Sequence, residues 1–351
     1  MARAEHRRCD FQIGGERVPP GARRTVDLPV ALLANHVPVT LPVQVVHGRR
    51  NGPTVFLSAA IHGDEILGVE IVRRVLAAPA LARLAGTLLA VPIVNAFGFI
   101  QHSRYLPDRR DLNRCFPGSA NGSLGAQLAN LFMTEIVRPS QYGIDLHSAA
   151  IHRSNLPQIR ADLGDAETRE LAIAFGAPVV LHADVRDGSL RQAARDAGTK
   201  VLLYEAGEAL RFDALAIRAG VRGVLRVLHW LGMVRRKLSA DTGATPVQAG
   251  SSYWVRAPIG GILRPDWQPG DTVERGQRLA VVADPFGEVE VDVCARDGGL
   301  VIGETRLPVV NRGDALVHLA RPAEAGAGPV SVRALAEDLD ADPLLDEAVL
   351  P

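Results

Sequence analysis

The sequence predicts an α/β domain followed by a small all-β domain. Two observations carry this. Short apolar runs alternate with stretches of helical apolar spacing as far as Val234. Beyond a Ser-, Thr-, Gly- and Ala-rich stretch at 239–252, the runs become short and are divided by Gly turns. A chain of 351 residues is long enough for one large core and a second, smaller one. On this reading 1–240 is the catalytic α/β domain, 253–320 the β-domain, and 322–351, with its Gly, Pro and acids, a flexible tail.

The elements follow in order. Residues 1–20 are polar, contain Gly and Pro, and are expected to be loose. Thr25–Val30 and Val37–Val46 read as strands whose prolines suit a sheet edge. His36 and His47 lie there without a partner carboxylate and read as structural or solvent-facing. Val55–Ile61 is a buried strand, Leu67–Leu84 a helix (Val69, Val72, Leu76 on one face) and Thr87–Asn95 a strand. Strand, helix, strand in this order is a βαβ unit with a right-handed crossover. Residues 96–122 show little periodicity, and a long loop inside a compact domain is commonly functional. Helices are expected over Ser123–Val137, Thr168–Phe175, Ser189–Ala197 and Phe212–Val234. Strands are expected at Tyr142–His147, Pro178–Leu181 and Lys200–Glu205.

Composition excludes several classes. Lys+Arg and Asp+Glu both number 39, so no net charge draws the chain to nucleic acid or an acidic membrane. No apolar run could span a bilayer, and the charged start lacks a signal-peptide core, so a cytoplasmic location is expected. The three cysteines, Cys9, Cys115 and Cys294, are scattered without CxxC spacing, which indicates neither a disulfide framework nor a cysteine zinc site.

The chemistry is written at strand ends. The run from Val55 leads into His62, Gly63, Asp64 and Glu65. Gly63 is expected to let the backbone turn sharply. An imidazole and a carboxylate three residues apart at a strand terminus form half of a zinc site. The run from Tyr142 ends in His147, which supplies a third ligand, and catalytic zinc commonly uses three protein ligands. His152, five residues on, is the rival ligand but falls on the next loop. Glu205 ends another strand and is the expected general base, able to accept a proton from water and return it to a leaving amine. Glu208 suits the first turn of the following helix. Asp145 reads either as a buried polar residue or as the partner of a ligand. In the long loop, Arg114 beside Asn113 is suited to bidentate carboxylate binding, and Asp111 to bracing. Arg160, expected on a loop from Asn155, is a further candidate carboxylate binder.

His62-Gly-Asp-Glu65, Asp111-Leu-Asn-Arg114-Cys-Phe-Pro-Gly118, Asp145-Leu-His147-Ser148 and Tyr204-Glu205-Ala-Gly-Glu208 occur in this order. With their spacing, over about residues 20–320, they resemble the succinylglutamate desuccinylase/aspartoacylase family, a branch of the zinc carboxypeptidase-like fold. The resemblance implies a mixed sheet flanked by helices. It also implies one zinc per chain on His62, Glu65 and His147. Asn113 and Arg114 would hold the substrate's free carboxylate, and Arg104 would assist there or polarise the scissile carbonyl. The implied activity is hydrolysis of the linear amide of an N-acyl amino acid, with an N-acetylated diamino acid the specific guess by analogy. The C-terminal domain is similar to a biotinyl/lipoyl barrel sandwich, but no Lys follows Lys237 to carry a prosthetic group. It is therefore expected to cap the site or to mediate homo-oligomer contacts. A metallocarboxypeptidase is the alternative enzyme, because the same anchor would hold a peptide's C-terminal carboxylate. A non-catalytic metal or small-molecule binding protein is the alternative of another class, and it would have no need of Glu205.

Overall fold

The computed structural model describes residues 8–235, 245–323 and 328–342. A hairpin, β1 (Phe11–Ile13) and β2 (Glu16–Val18), precedes the main sheet, so part of the N-terminal stretch expected to be loose is ordered. Its Ile13 and Val18 are buried in the core, and that burial holds the hairpin down. The α/β part then runs β3 (Arg23–Leu32), β4 (Pro38–His47), β5 (Arg50–Ala59), α1 (Leu67–Ala77), β6 (Ala85–Val91), α2 (Ala96–Ile100) and α3 (Leu124–Phe132). It continues with β7 (Tyr142–Ala149), β8 (Arg153–Ala161), α4 (Ala166–Phe175), β9 (Val179–His182), α5 (Leu190–Asp196), β10 (Lys200–Glu208) and α6 (Ala214–Trp230).

Strands β10, β7, β5 and β6 are adjacent and parallel. Strand β4 adds antiparallel to β6, and β3 forms the edge. The edge expectation holds for β3, which carries Pro29; β4 is an inner strand between β6 and β3, and its Pro38 and Pro42 are accommodated where it pairs with β3 but not with β6. The parallel strands are buried on both faces, which is why they read as continuous apolar runs. Helices α1, α4 and α6 share one core with Ile144 and Leu146 of β7. The opposite core takes Leu128 and Phe132 of α3 and Leu190 of α5. Helix α1 lies close on the sheet because Gly68 has no Cβ; one there would sit 2.7 Å from the Cβ atoms of Ala59 and Leu146.

The remaining elements are β11 (Val247–Arg256), β12 (Gly261–Pro265), β13 (Thr272–Val273), β14 (Arg278–Ala283), β15 (Glu290–Cys294), β16 (Gly299–Thr305), β17 (Val309–Val310), β18 (Ala315–Pro322) and α7 (Val332–Asp340). The stretch expected to be a linker at 239–252 is corrected in its second half. Residues from Val247 belong to β11, which pairs in parallel with β9; residues 239–244 lie outside the described part. The segment from Asn155 to Arg160, expected as a loop, is the body of β8. This strand pairs with β10 on one side and with both β9 and β16 elsewhere. Since β9 continues through β11 and β18 to β16, the strands β8, β9, β11, β18 and β16 close into a ring around Leu156, Leu181, Ala249 and Ile302. The C-terminal strands are thus built directly onto the α/β sheet. A separate four-stranded sheet, β15-β14-β12-β17, packs over its own core around Leu263, Trp267 and Val317. Within the stretch expected as a flexible tail, α7 buries Leu339 in the core beside α6, and Asp338 pairs with Arg222.

Candidate metal centre and cleft

His62, Glu65 and His147 come together at the carboxyl ends of the parallel strands. Strand β5 ends at Ala59, and a tight turn carries the chain to His62. Gly63 is required here for a different reason than a sharp turn. Its φ is not positive, but a Cβ would lie 2.0 Å from the Gly98 carbonyl carbon in α2. His147 sits near the end of β7, opposite Glu205 in the parallel register with β10. The ligand atoms of His62, Glu65 and His147 lie within 4.8 Å of one another, and all three residues are buried.

The hydrogen bonds are directional. His62 Nδ1 faces Glu65 Oε1 at 2.6 Å, and His147 Nδ1 faces Glu65 Oε2 at 2.7 Å. Each imidazole has its far nitrogen held as well. His62 Nε2 meets Asp111 Oδ1 at 3.1 Å, and His147 Nε2 meets Asp145 Oδ2 at 2.7 Å. Asp145 is itself held by the Ser58 hydroxyl, which donates at 2.8 Å. Asp145 is fully buried and holds the far nitrogen of His147, a candidate ligand, so its place fits both readings. Asp111 braces the loop as expected, accepting from the Asn113 amide, and it also reaches His62.

Burial opposes charging His147, but Asp145 and Glu65 outweigh it and raise its pKa well above the usual value. His62 is raised in the same way, by Glu65 and Asp111 against burial. Burial disfavours the Glu65 carboxylate, yet His62 and His147 hold its pKa far below the ordinary range. Both ring nitrogens of each imidazole face carboxylate oxygens, so without metal both must carry protons. A divalent cation held by His62, Glu65 and His147 would take the place of the protons between these side chains and keep the buried charge compensated. Two nitrogens and one carboxylate are a donor set that zinc accepts.

These groups form the floor of a cavity of about 570 Å³. A larger groove of about 800 Å³, beside Arg23, Leu76 and Arg83, contains none of them. Six arginines line the site cavity: Arg104, Arg114, Arg153, Arg160, Arg186 and Arg191. Arg104 donates to Glu65 at 3.1 Å and to Asp111 at 3.0 Å, so here it braces the donor set. Arg160 Nε lies 2.8 Å from Glu205 Oε2. That contact is an ion pair, but it lacks the angle of a good hydrogen bond, and the Nε is left without one. Asn113 Oδ1 accepts from the Leu190 amide at 2.9 Å, which leaves the amide nitrogen of the side chain to donate elsewhere. Arg114 donates to the Asn113 carbonyl at 2.5 Å.

The rival residues stand apart. His152 occupies a left-handed turn at φ 64° and is not in the donor group. The Glu208 expectation is corrected: the residue ends β10, six positions before α6, and its carboxylate accepts from the His152 amide at 2.9 Å. His47 is structural as expected, bonded to Thr87 and to the Cys9 carbonyl. Sequence reasoning missed Arg153, Arg191 and Trp254 in the cavity wall. Trp254 and its neighbours Ser251 and Ser252 come from β11, and no local signal places that strand beside His147.

Fold and site together define a mixed α/β protein with a buried His–Glu–His donor set in an arginine-rich cleft. The sequence model of the succinylglutamate desuccinylase/aspartoacylase catalytic domain matches residues 51–231. The chain is 30% identical over 302 residues to the N-alpha-acetyl-L-2,4-diaminobutyric acid deacetylase of Halomonas elongata, covering 82% of this chain and 87% of that relative. A product-bound structure of the ectoine utilization protein EutE (DoeB) from Ruegeria pomeroyi is similar at TM-score 0.76 and 25% identity, over 86% of this chain and 95% of that one. A succinylglutamate desuccinylase/aspartoacylase structure from Rhodobacter sphaeroides gives TM-score 0.75 and 25% identity, over 91% and 100%. The chain belongs to the succinylglutamate desuccinylase/aspartoacylase family.

Proposed function

We propose that the protein is a zinc-dependent amidohydrolase that cleaves an N-acyl amino acid into a carboxylic acid and a free amino acid. The observation that carries this reading is the convergence of His62 Nδ1, Glu65 and His147 Nδ1 on the floor of a cleft that also contains Glu205. The named activity of the Halomonas elongata relative supports the same class. His62, Glu65 and His147 would hold one zinc ion, which supplies Lewis-acid polarisation of the amide carbonyl and lowers the pKa of water. Glu205 takes the proton of the attacking water and returns it to the departing amine. Arg160 keeps the Glu205 carboxylate in place. Arg114 and the free amide nitrogen of Asn113 bind the amino acid carboxylate. Arg104, which contacts Glu65 and Asp111, can move onto the substrate carbonyl as its charge develops.

The two-part organisation belongs to this proposal. The α/β unit (1–240) supplies the catalytic groups, and the β unit (253–320), entered through β11, covers the cleft in a cytoplasmic enzyme. A cavity of about 570 Å³ bounded by β11 is the size of a small-molecule site, which favours an N-acyl amino acid over a peptide end. Metal content, paired with amine release from a panel of N-acyl amino acids with and without chelator, tests the reading. About one zinc per chain, together with chelator-sensitive release, is expected for the stated ligand set. Release confined to peptides would replace it with the carboxypeptidase, and a tightly bound metal with no release with the binding protein.

A further inference from the structure

Arginines line two cavities of the protein. In the cleft most of them are engaged. Arg104 and Arg160 face carboxylates, and Arg114 and Arg191 donate to backbone carbonyls. The Arg153 guanidinium carbon lies 5.1 Å from the centre of the Trp254 ring, on which His318 of β18 stacks at 4.6 Å. The groove of about 800 Å³ is different. It lies at the other end of the sheet. Arg50 begins β5 and Leu84 precedes β6, whereas the donor set follows the end of β5. A strand of ten residues separates two such ends by roughly 30 Å.

Five arginines line this groove: Arg23, Arg49, Arg50, Arg83 and Arg235. Among the described residues no carboxylate lines it, and none of the five makes an ion pair. Arg23 donates to the Leu76 carbonyl at 2.7 Å and to Gln44 at 2.8 Å, and Arg50 donates to the Arg83 carbonyl at 2.7 Å. These bonds use few of the five N–H groups of each guanidinium. Arg49 lies close against Gly21, where a Cβ would come 2.5 Å from its Nε. The side chains of Arg49, Arg83 and Arg235 make no hydrogen bond among the described residues.

Carbonyl capping accounts for Arg23 and Arg50, but it leaves three further cations gathered at one groove without a counter-charge, and like charges repel. The rest of the lining is Gly, Ala, Val, Leu and Pro, with His47, whose ring nitrogens are both bonded. The groove therefore offers no group for acid–base or nucleophilic chemistry and is suited to binding alone. Guanidinium groups pair bidentately with phosphate oxygens, and several of them together suit more charge than one carboxylate carries.

We propose that this groove binds a small anion with two or more phosphate groups, either free or carried on a nucleoside whose ring rests on the apolar side formed by Leu76 and Pro79. The proposal goes beyond the hydrolysis reading and does not depend on it.

The test is calorimetry of the purified protein at about 0.15 M salt, in excess magnesium so that the probes leave bound metal in place. The probes are ATP, tripolyphosphate and AMP. Saturable binding of ATP or tripolyphosphate is expected, with AMP at least about tenfold weaker than the tighter of the two, the scale of one charge-assisted hydrogen bond. Tighter binding of ATP supports the site with the nucleoside on the apolar side. Equal or tighter binding of tripolyphosphate supports it with the phosphate chain alone. Joint replacement by Arg49→Ala, Arg83→Ala and Arg235→Ala is expected to weaken the tighter probe by about a hundredfold or more, and Arg83→Glu alone by about tenfold. Thermal unfolding shows whether the variants are folded, and Arg83→Glu decides the matter if the triple variant is not. Arg153→Ala with Arg186→Ala, in the cleft, is expected to leave this binding unchanged. The proposal is overturned by absence of saturable binding of both ATP and tripolyphosphate, or by AMP that binds as tightly as they do. Binding that survives in the groove variants, or that is lost in the cleft variant, overturns it as well.

Discussion

His62 and His147 on the floor of the cleft and His318 behind its wall are all buried imidazoles, but their surroundings treat charge in opposite ways. On the floor each ring touches two carboxylates, and the charged form is favoured despite burial. Behind the wall, burial and the Arg160 charge push His318 down to about 3, and its Nδ1 has no partner. Depth alone therefore does not decide what a buried histidine does; the sign of the nearest charges does. One arrangement is ready to exchange protons for a cation, and the other holds an aromatic wall with a neutral ring.

This contrast can be broken in several ways, and the largest effect is expected on the floor. Glu205→Gln is expected to lower kcat by about 10²–10⁴-fold while substrate still binds, which steady-state kinetics and calorimetry would read. Unchanged turnover would remove Glu205 from the chemistry. Next, Asp145→Asn keeps the shape but weakens the hold on His147 Nε2, and zinc affinity is expected to fall about 10–100-fold in a competition titration. Wild-type affinity in that variant would mean that the contact orients nothing.

The wall gives a smaller effect with a defined sign. The folded pKa of His318 lies below its unfolded value, so its stability contribution is complete above about pH 6.5. It is lost as pH falls from there toward about 3. Thermal or denaturant unfolding should therefore show a loss of about 1–2 kcal/mol between pH 6.5 and 5, and His318→Phe should flatten that slope. The floor histidines act in the other window. Raised above their unfolded values, they stabilise the metal-free protein below about pH 6.5, and this contribution fades as pH rises through their folded pKa. A single slope of one sign across both windows would erase the distinction between the two regions. The smallest effect is expected from Ser58→Ala, which removes one hydrogen bond to Asp145 and should cost about 0.5–1.5 kcal/mol of zinc affinity.

The floor was readable because its signals are local. Apolar runs that end in His62 and His147, and one that ends in Glu205, each mark a strand terminus, and a parallel sheet brings such termini to one edge. The Asn113–Arg114 block stood out as chemistry in a segment without periodicity. Other features left no local trace. Asp111 meets His62 across 49 positions of sequence, and Gly63 is needed for an approach to α2 rather than for its own backbone angle. The polar stretch from Val247 is a strand because β9 and β18 offer it edges, and β8 reads as a loop because Pro157 and polar residues interrupt its pattern. In this protein the sequence by itself determined the parallel core, the donor set and the candidate base, because periodicity and strand ends follow from neighbouring residues. Only the tertiary structure decided the ring closed by β8 and β16 and the wall that holds Arg153 against Trp254. Strand register and side-chain convergence between distant segments depend on pairings that no short stretch encodes.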